Sequence, residues 1–245
     1  MKKTIILTGA AGSIGSEIIK SFHKSYRLIC VDTDIQNLKN LKKIYKSINI
    51  FKCNLLIEKE VNSLIKKVLR DFNKIDILIN NAGKIYSSPI IKLGKEKFLS
   101  HNFKMWKKVI DINLNSLFLI SSKVIEALCN QRKSGLIINV SSISANGNIG
   151  QSAYSSAKKS IEVLTKIWAD ELKDFDIRVA CVAPGFFDTK STKKSLNKIQ
   201  IEHIQKFTPL KRLGRPNELV HCIKFIINNK FFNGKTLRID GGLNL

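Results

Sequence analysis

A chain of 245 residues that is 44% hydrophobic and 25% charged has the composition of a folded globular protein, which excludes intrinsic disorder and leaves room for a substantial core. Its formal net charge of +23 favours polyanions, but lysines such as Lys39, Lys42, Lys66, Lys67, Lys107 and Lys108 are spread over nearly every expected helix, so they read as solvated faces and nucleic acid is not the expected partner. No apolar run approaches the ~18 residues of a membrane span, and five scattered cysteines without a Cys-x-x-Cys pair, beside four histidines without ligand spacing, imply no metal, no disulfide framework, no membrane and a reducing cytoplasm.

Lys3 to Leu7 is a short β-branched run that reads as a first strand, followed by the glycine turn Thr8 to Gly15 and a helical pattern carrying Ile14, Ile18, Ile19 and Phe22. Tyr26 to Val31 reads as a second strand ending at Asp32, about twenty residues after the turn, the spacing of a dinucleotide-binding unit. The helix N-terminus offers N–H groups and its dipole to a pyrophosphate, which makes Gly9, Gly12, Ser13, Ile14 and Gly15 cofactor-binding candidates. Asp32 can accept hydrogen bonds from an adenosine ribose, and its carboxylate repels a 2′-phosphate. NAD(H) is therefore expected over NADP(H).

Ile48 to Lys52 reads as a third strand, and Val61, Leu64, Ile65, Val68, Leu69 and Phe72 then recur at the helical period. Ile75 to Ile79 runs into Asn80, Asn81, Ala82 and Gly83, a strand exit of small residues that lets backbone approach a ligand. From Lys84 to Lys104 the pattern breaks into a lysine-rich segment expected to be a loop or short helix near the site. Trp106 to Asn130 is expected to be one long amphipathic helix with Asn113 inside it.

Gly135 opens the strand Leu136 to Val140, which delivers Ser141 and Ser142, and a further helix carries Tyr154 and Lys158. Four residues apart on a helix, the phenol and the ammonium share one face, where a cation favours the phenolate. Ile177 to Ala183 is the next strand, ending at Pro184 and Gly185. Phe186 to Pro209 has no clear period and reads as a mobile lid, Pro216 starts a last helix, and Gly234 to Asp240 reads as the closing strand. Alternating strands and helices without a linker imply one α/β domain over residues 1 to 245, a parallel sheet covered on both faces, with ligands beyond the strands' carboxyl ends.

These motifs, in this order, resemble the short-chain dehydrogenase/reductase family over essentially the whole chain, and its single-domain Rossmann branch in particular. The stretch Pro209 to Pro216 is most similar to the 3-oxoacyl-acyl-carrier-protein reductase-like group. The resemblance implies a CH–OH oxidoreductase with Tyr154 as general acid/base, Lys158 lowering its pKa and holding the nicotinamide ribose, Ser142 on the substrate oxygen and Asn113 holding a relay water. It also implies cofactor contacts from Asp32, Asn54, Leu55, Asn81, Ala82 and Gly83 on the adenosine side, and from Pro184, Gly185 and Thr189 at the nicotinamide end.

Four departures stand out: Ser13 where a glycine is usual, Asn54 for the usual aspartate, a lengthened Lys84 to Lys104 segment and a Ser142-to-Tyr154 interval one residue shorter, which leaves Ser141 as the alternative substrate-orienting hydroxyl. The expected substrate is a small carbonyl or secondary alcohol, and a homotetramer or dimer is the expected assembly. The alternatives are a 3-oxoacyl-thioester reductase using NADPH and a non-enzymatic binding or scaffold member of the fold.

Overall fold

The computed structural model describes residues 2–245. The first half runs β1 (Thr4–Thr8), α1 (Ser13–Phe22), β2 (Arg27–Asp32), α2 (Ile35–Ile44), β3 (Asn49–Lys52), α3 (Glu58–Phe72), β4 (Ile77–Asn80) and a hairpin of β5 (Ile91–Leu93) and β6 (Phe98–Ser100). The second runs α4 (Phe103–Ile110), α5 (Ser116–Asn130), β7 (Gly135–Val140), α6 (Ser152–Glu171), β8 (Ile177–Pro184), α7 (Lys190–Ser195), α8 (Lys198–Phe207), α9 (Pro216–Asn228) and β9 (Thr236–Ile239).

β1 is buried throughout and its apolar centre, Ile5, Ile6 and Leu7, points to both faces, so both faces must be covered. It sits near the middle of a seven-stranded parallel sheet of order β3-β2-β1-β4-β7-β8-β9. Ile5 and Leu7 meet α1, α2 and α9 through Ile18, Phe22, Leu38 and Ile223 on one face. Ile6 on the other face joins a second core with Val61 of α3, Ile120 of α5 and Trp168 of α6. After β3 the chain crosses back to place β4 on the far side of β1. The strand order therefore reverses between β1 and β4, and a crevice opens beyond their carboxyl ends.

Three expectations about the secondary-structure elements need correction. The Lys84 to Lys104 segment is not loop throughout: within irregular chain that leads into α4 it contains the antiparallel hairpin, with Leu93 paired to Phe98 across Gly94 to Lys97. Its Ile91, Leu93 and Phe98 are exposed, so no burial pattern announced it. The helix before β7 is interrupted: between α4 and α5 a π-helical turn, Asp111–Asn115, inserts an extra residue and carries Asn113. The Phe186 to Pro209 segment holds two helices, the second started by a capping box between Asn197 and Gln200 that the sequence displays.

The continuous helical stretch Phe103–Asn130, with mean hydropathy 1.3 over its most apolar window, is long and apolar enough to cross a membrane, contrary to the expectation that no such run exists. Leu117, Ile120, Val124 and Leu128 nonetheless lie in the core beneath the sheet.

Below the crevice a polar network crosses this core. Asn80 of β4 donates to Ser121 Oγ (2.8 Å) and to Asn139 Oδ1 of β7 (2.9 Å), and Asn139 Nδ2 donates to Thr165 Oγ1 of α6 (2.9 Å). Every member is buried, so losing one partner leaves another unsatisfied. Asn139→Ala is therefore expected to lower unfolding stability by about 2–3 kcal/mol, read as a lower urea midpoint at unchanged slope.

Candidate active site

The glycine turn between β1 and α1 forms one wall of the crevice. Gly9 has φ +62°, and a Cβ there would stand 2.7 Å from Ala82 Cα, so both the backbone conformation and the space demand glycine. Gly15 faces inward instead, where a Cβ would run into Gly9 O, and the missing side chain lets α1 close onto the turn. Gly12 caps α1 without a side-chain hydrogen bond, leaving the first-turn N–H groups to a ligand.

The β4 exit locks the turn in place: Thr8 Oγ1 accepts from Asn81 N (3.0 Å) and Ala82 N (3.1 Å), and Asn81 Nδ2 donates to Thr8 O (3.1 Å) and Gly9 O (3.0 Å). Asp32 at the end of β2 accepts from Ala11 N (3.0 Å) and Asp34 N (3.0 Å), so its carboxylate is already aimed at the turn.

These elements enclose a groove of about 600 Å³. Gly9, Gly12, Ser13, Ile14, Asp32, Asn54, Leu55, Asn81, Ala82, Gly83 and Thr189 all line it, as do Val31, Thr33, Cys53, Leu56, Lys84, Ile112 and Ser116, which sequence reasoning did not single out. Ile112 and Ser116 carried a signal, since they stand four residues apart beside Asn113 and so share one helix face. A bare phosphate cradle, an acid placed for a ribose and this length of groove fit a dinucleotide. Among the described residues, no group of three or more His, Cys, Asp or Glu is placed to hold a metal ion.

Beyond Gly83 the groove meets a buried polar cluster. A Cβ on Gly83 would lie 2.8 Å from Asn113 Oδ1, too close to be tolerated, and 3.4 Å from Lys158 Nζ, at ordinary contact, so glycine is needed here to admit the Asn113 amide. The π-helical turn aims Asn113 inward, where its Oδ1 accepts from Lys84 N (3.1 Å) and its Nδ2 donates to Lys84 O and Val109 O (both 2.9 Å). Lys158, on α6, donates to Val140 O at the end of β7 (2.8 Å), and its ammonium lies 5.6 Å from the centre of the Tyr154 ring. Ser142 Oγ accepts from Ser144 N (3.1 Å), which leaves the hydroxyl proton free to turn toward Tyr154.

Burial dominates the electrostatics. It pushes the Tyr154 phenol up to about 12, opposed by the Ser142 hydroxyl, which draws the phenol down. It brings the Lys158 ammonium down to about 8, opposed by the neighbouring Cys181. The expected lowering of the phenol by Lys158 thus meets a larger contrary effect in the protein alone, because both groups leave water together.

Ser141 is turned away from this cluster: its hydroxyl donates to Lys158 O (2.9 Å) and Glu162 Oε1 (3.2 Å). Thr189 is committed to α7 as its N-cap, accepting from Thr192 N (3.1 Å). Pro184 and Gly185 lie at the end of β8 outside the groove lining, with Gly185 packed so closely on Asp240 that a Cβ would sit 2.7 Å from its Cα.

A parallel sheet with a glycine turn at its switch point and a Tyr-x-x-x-Lys helix beside it defines a class of nucleotide-dependent oxidoreductases. The family model for short chain dehydrogenase matches residues 3–200, and the chain belongs to that family. It is similar to the 3-oxoacyl-[acyl-carrier-protein] reductase of Thermotoga maritima, 31% identical over 98% of this chain and 97% of that protein. The reductase of the same name from Rickettsia typhi is 35% identical over 98% and 96%, and nodulation protein G of Rhizobium meliloti 31% over 97% and 95%. A crystal structure of a putative gluconate dehydrogenase from Agrobacterium tumefaciens shares the fold with TM-score 0.89 at 24% identity, over 98% of this chain and 95% of that one. The chain is accordingly an NAD(P)-dependent oxidoreductase that acts on a carbonyl or the corresponding alcohol.

Because the folded protein lowers Lys158 from its ordinary 10.5 to about 8, the unfolded chain binds the extra proton between those values. The cost of the buried ammonium is fully present below about pH 8 and is relieved as pH rises toward 10.5. Lys158→Met should therefore be more stable than the parent at pH 7, and the gap should narrow by about 1–2 kcal/mol by pH 9.5, measured by urea unfolding of both proteins across that range.

Proposed function

We propose that the protein is an NAD(H)-dependent oxidoreductase interconverting a small carbonyl compound and its secondary alcohol, with Tyr154 as the general acid/base. The observation that carries this reading is the meeting at Gly83, where the end of the dinucleotide groove touches both Lys158 Nζ and Asn113 Oδ1. A nicotinamide bound beyond Gly83, toward Tyr154, would supply or accept the hydride. In the reducing direction Tyr154 gives its phenolic proton to the carbonyl oxygen while the Ser142 hydroxyl donates to the same oxygen. The Lys158 ammonium stabilises the phenolate left behind and holds the nicotinamide ribose. Asn113 holds the water that returns a proton from solvent.

Ser142, rather than Ser141, is the substrate-orienting hydroxyl, because Ser141 is already bound to Lys158 O and Glu162. Asp32, Asn54, Leu55, Asn81, Ala82 and Gly83 serve the adenosine half of the cofactor; Pro184, Gly185 and Thr189 serve the nicotinamide half. Substrate is admitted by the segments near 84–104 and 186–209, the first of which carries exposed Leu93 and Phe98. All these parts belong to one domain. Exposed Phe118, Val163 and Ile167 on α5 and α6 support assembly into a homotetramer or dimer through those helices, and the reduced cysteines support a cytoplasmic setting.

The curated relatives named as 3-oxoacyl-[acyl-carrier-protein] reductases favour a second reading, reduction of a 3-oxoacyl thioester with NADPH. The cofactor separates the two. The Asp32 carboxylate and the lack of a lysine or arginine in the glycine turn predict that NADH binds at least tenfold more tightly than NADPH in fluorescence titrations. Equal or reversed affinity would favour the second reading. Tyr154→Phe is expected to cut turnover by about a thousandfold or more while changing the NADH dissociation constant less than about threefold. Retained turnover in that variant would exclude Tyr154 as the acid.

A further inference from the structure

The groove holds one acid and one base among its described lining residues: Asp32 at the adenosine end, and Lys84 one residue beyond Gly83. Lys84 is exposed, and no carboxylate among the described residues lies within ion-pair distance of its ammonium. Its backbone, by contrast, is held from both sides by Asn113. The side chain is thus a free cation on a fixed base. The glycine turn, for its part, offers a pyrophosphate N–H donors and the α1 dipole but no formal charge, and Thr189 adds none.

We infer that Lys84 is a cofactor-binding residue whose ammonium pairs with the pyrophosphate of the dinucleotide. The inference rests on the proposed reading of the groove as the dinucleotide site. A pyrophosphate is assigned rather than an acidic group on the substrate because Lys84 shares its groove with Gly12, Ser13 and Asp32, whereas Ser142 and Tyr154 lie outside that lining. An ammonium on a flexible stem suits this task, since it needs only proximity to a doubly negative group and not a fixed fork geometry.

The test is calorimetric titration of the 245-residue chain with NADH, ADP-ribose and adenosine, for the parent, Lys84→Met and Lys84→Arg. Lys84→Met should bind NADH and ADP-ribose about tenfold more weakly and with less salt dependence, adenosine as before, and Lys84→Arg should stay within about threefold of the parent. Because the side chain is exposed, the melting temperature should not move. Unchanged NADH affinity in Lys84→Met overturns the assignment, and so does an equal loss for adenosine, which would mark a distorted groove. Unchanged NADH affinity with a raised KM for an acidic carbonyl substrate assigns the cation to substrate and likewise overturns it. A parent protein that binds none of the three ligands removes the dinucleotide reading itself, a failure distinct from any behaviour of the variants.

Discussion

A lysine ammonium with 4% of its surface exposed and a single carbonyl as hydrogen-bond acceptor is the costly feature around which this structure is arranged. Taking such a charge out of water costs several kcal/mol even after relaxation, so α6 must be held where Lys158 meets Val140 O and cannot drift. Three ties on α6 do this. Ser141 Oγ bonds Lys158 O, Asn139 bonds Thr165, and Glu162, itself 9% exposed, takes both oxygens to Arg238 of β9 at 3.0 and 3.1 Å. Two of these ties come from the end of β7 and one from β9, so the sheet sets the position of α6.

The same logic governs the opposite wall. A regular α-helix through Asp111–Asn115 would carry Asn113 past the site; the π-helical turn gives up one regular hydrogen-bonding repeat and directs the amide inward. There Asn113 satisfies both polar groups of the Lys84 backbone, which stabilises the β4 exit just where the chain must run close to a ligand. Gly83, Asn113 and Lys158 therefore pack together, and a Cβ at position 83 would collide with the Asn113 amide oxygen while reaching contact with the Lys158 ammonium. The groove and the buried polar cluster of Asn113 and Lys158 meet at this point.

Much of this was legible from residue order because the cues are local. Apolar strand runs alternating with helices carrying a period of about 3.6 specify a two-faced parallel sheet, and strand boundaries fell within a few residues of those observed, as at β2 and β7. Gly9, Asp32, Tyr154 and Lys158 stood out because turn conformation, strand-end placement and helical spacing are short-range properties. The hairpin at Ile91–Leu93 and Phe98–Ser100 was not legible: its side chains face solvent, so neither face carries a core pattern. The helices after β8 were missed because α7 is a short lysine-rich run and α8 buries none of its residues, though the Asn197 to Gln200 capping box was available as a signal.

The sequence by itself determined the fold class, the glycine turn, the acid at the end of β2 and the pairing of a phenol with an ammonium, since each depends on contacts between residues near one another in the chain. Only the tertiary structure decided which serine faces that phenol, why Asn113 points inward and where Lys84 is anchored. It also decided the titration of the pair. Spacing on a helix says that Lys158 attracts charge onto Tyr154, but the depth at which the folded protein buries both sets the phenol near 12 and the ammonium near 8. Desolvation is a property of everything packed around a group, and no local stretch of chain contains it.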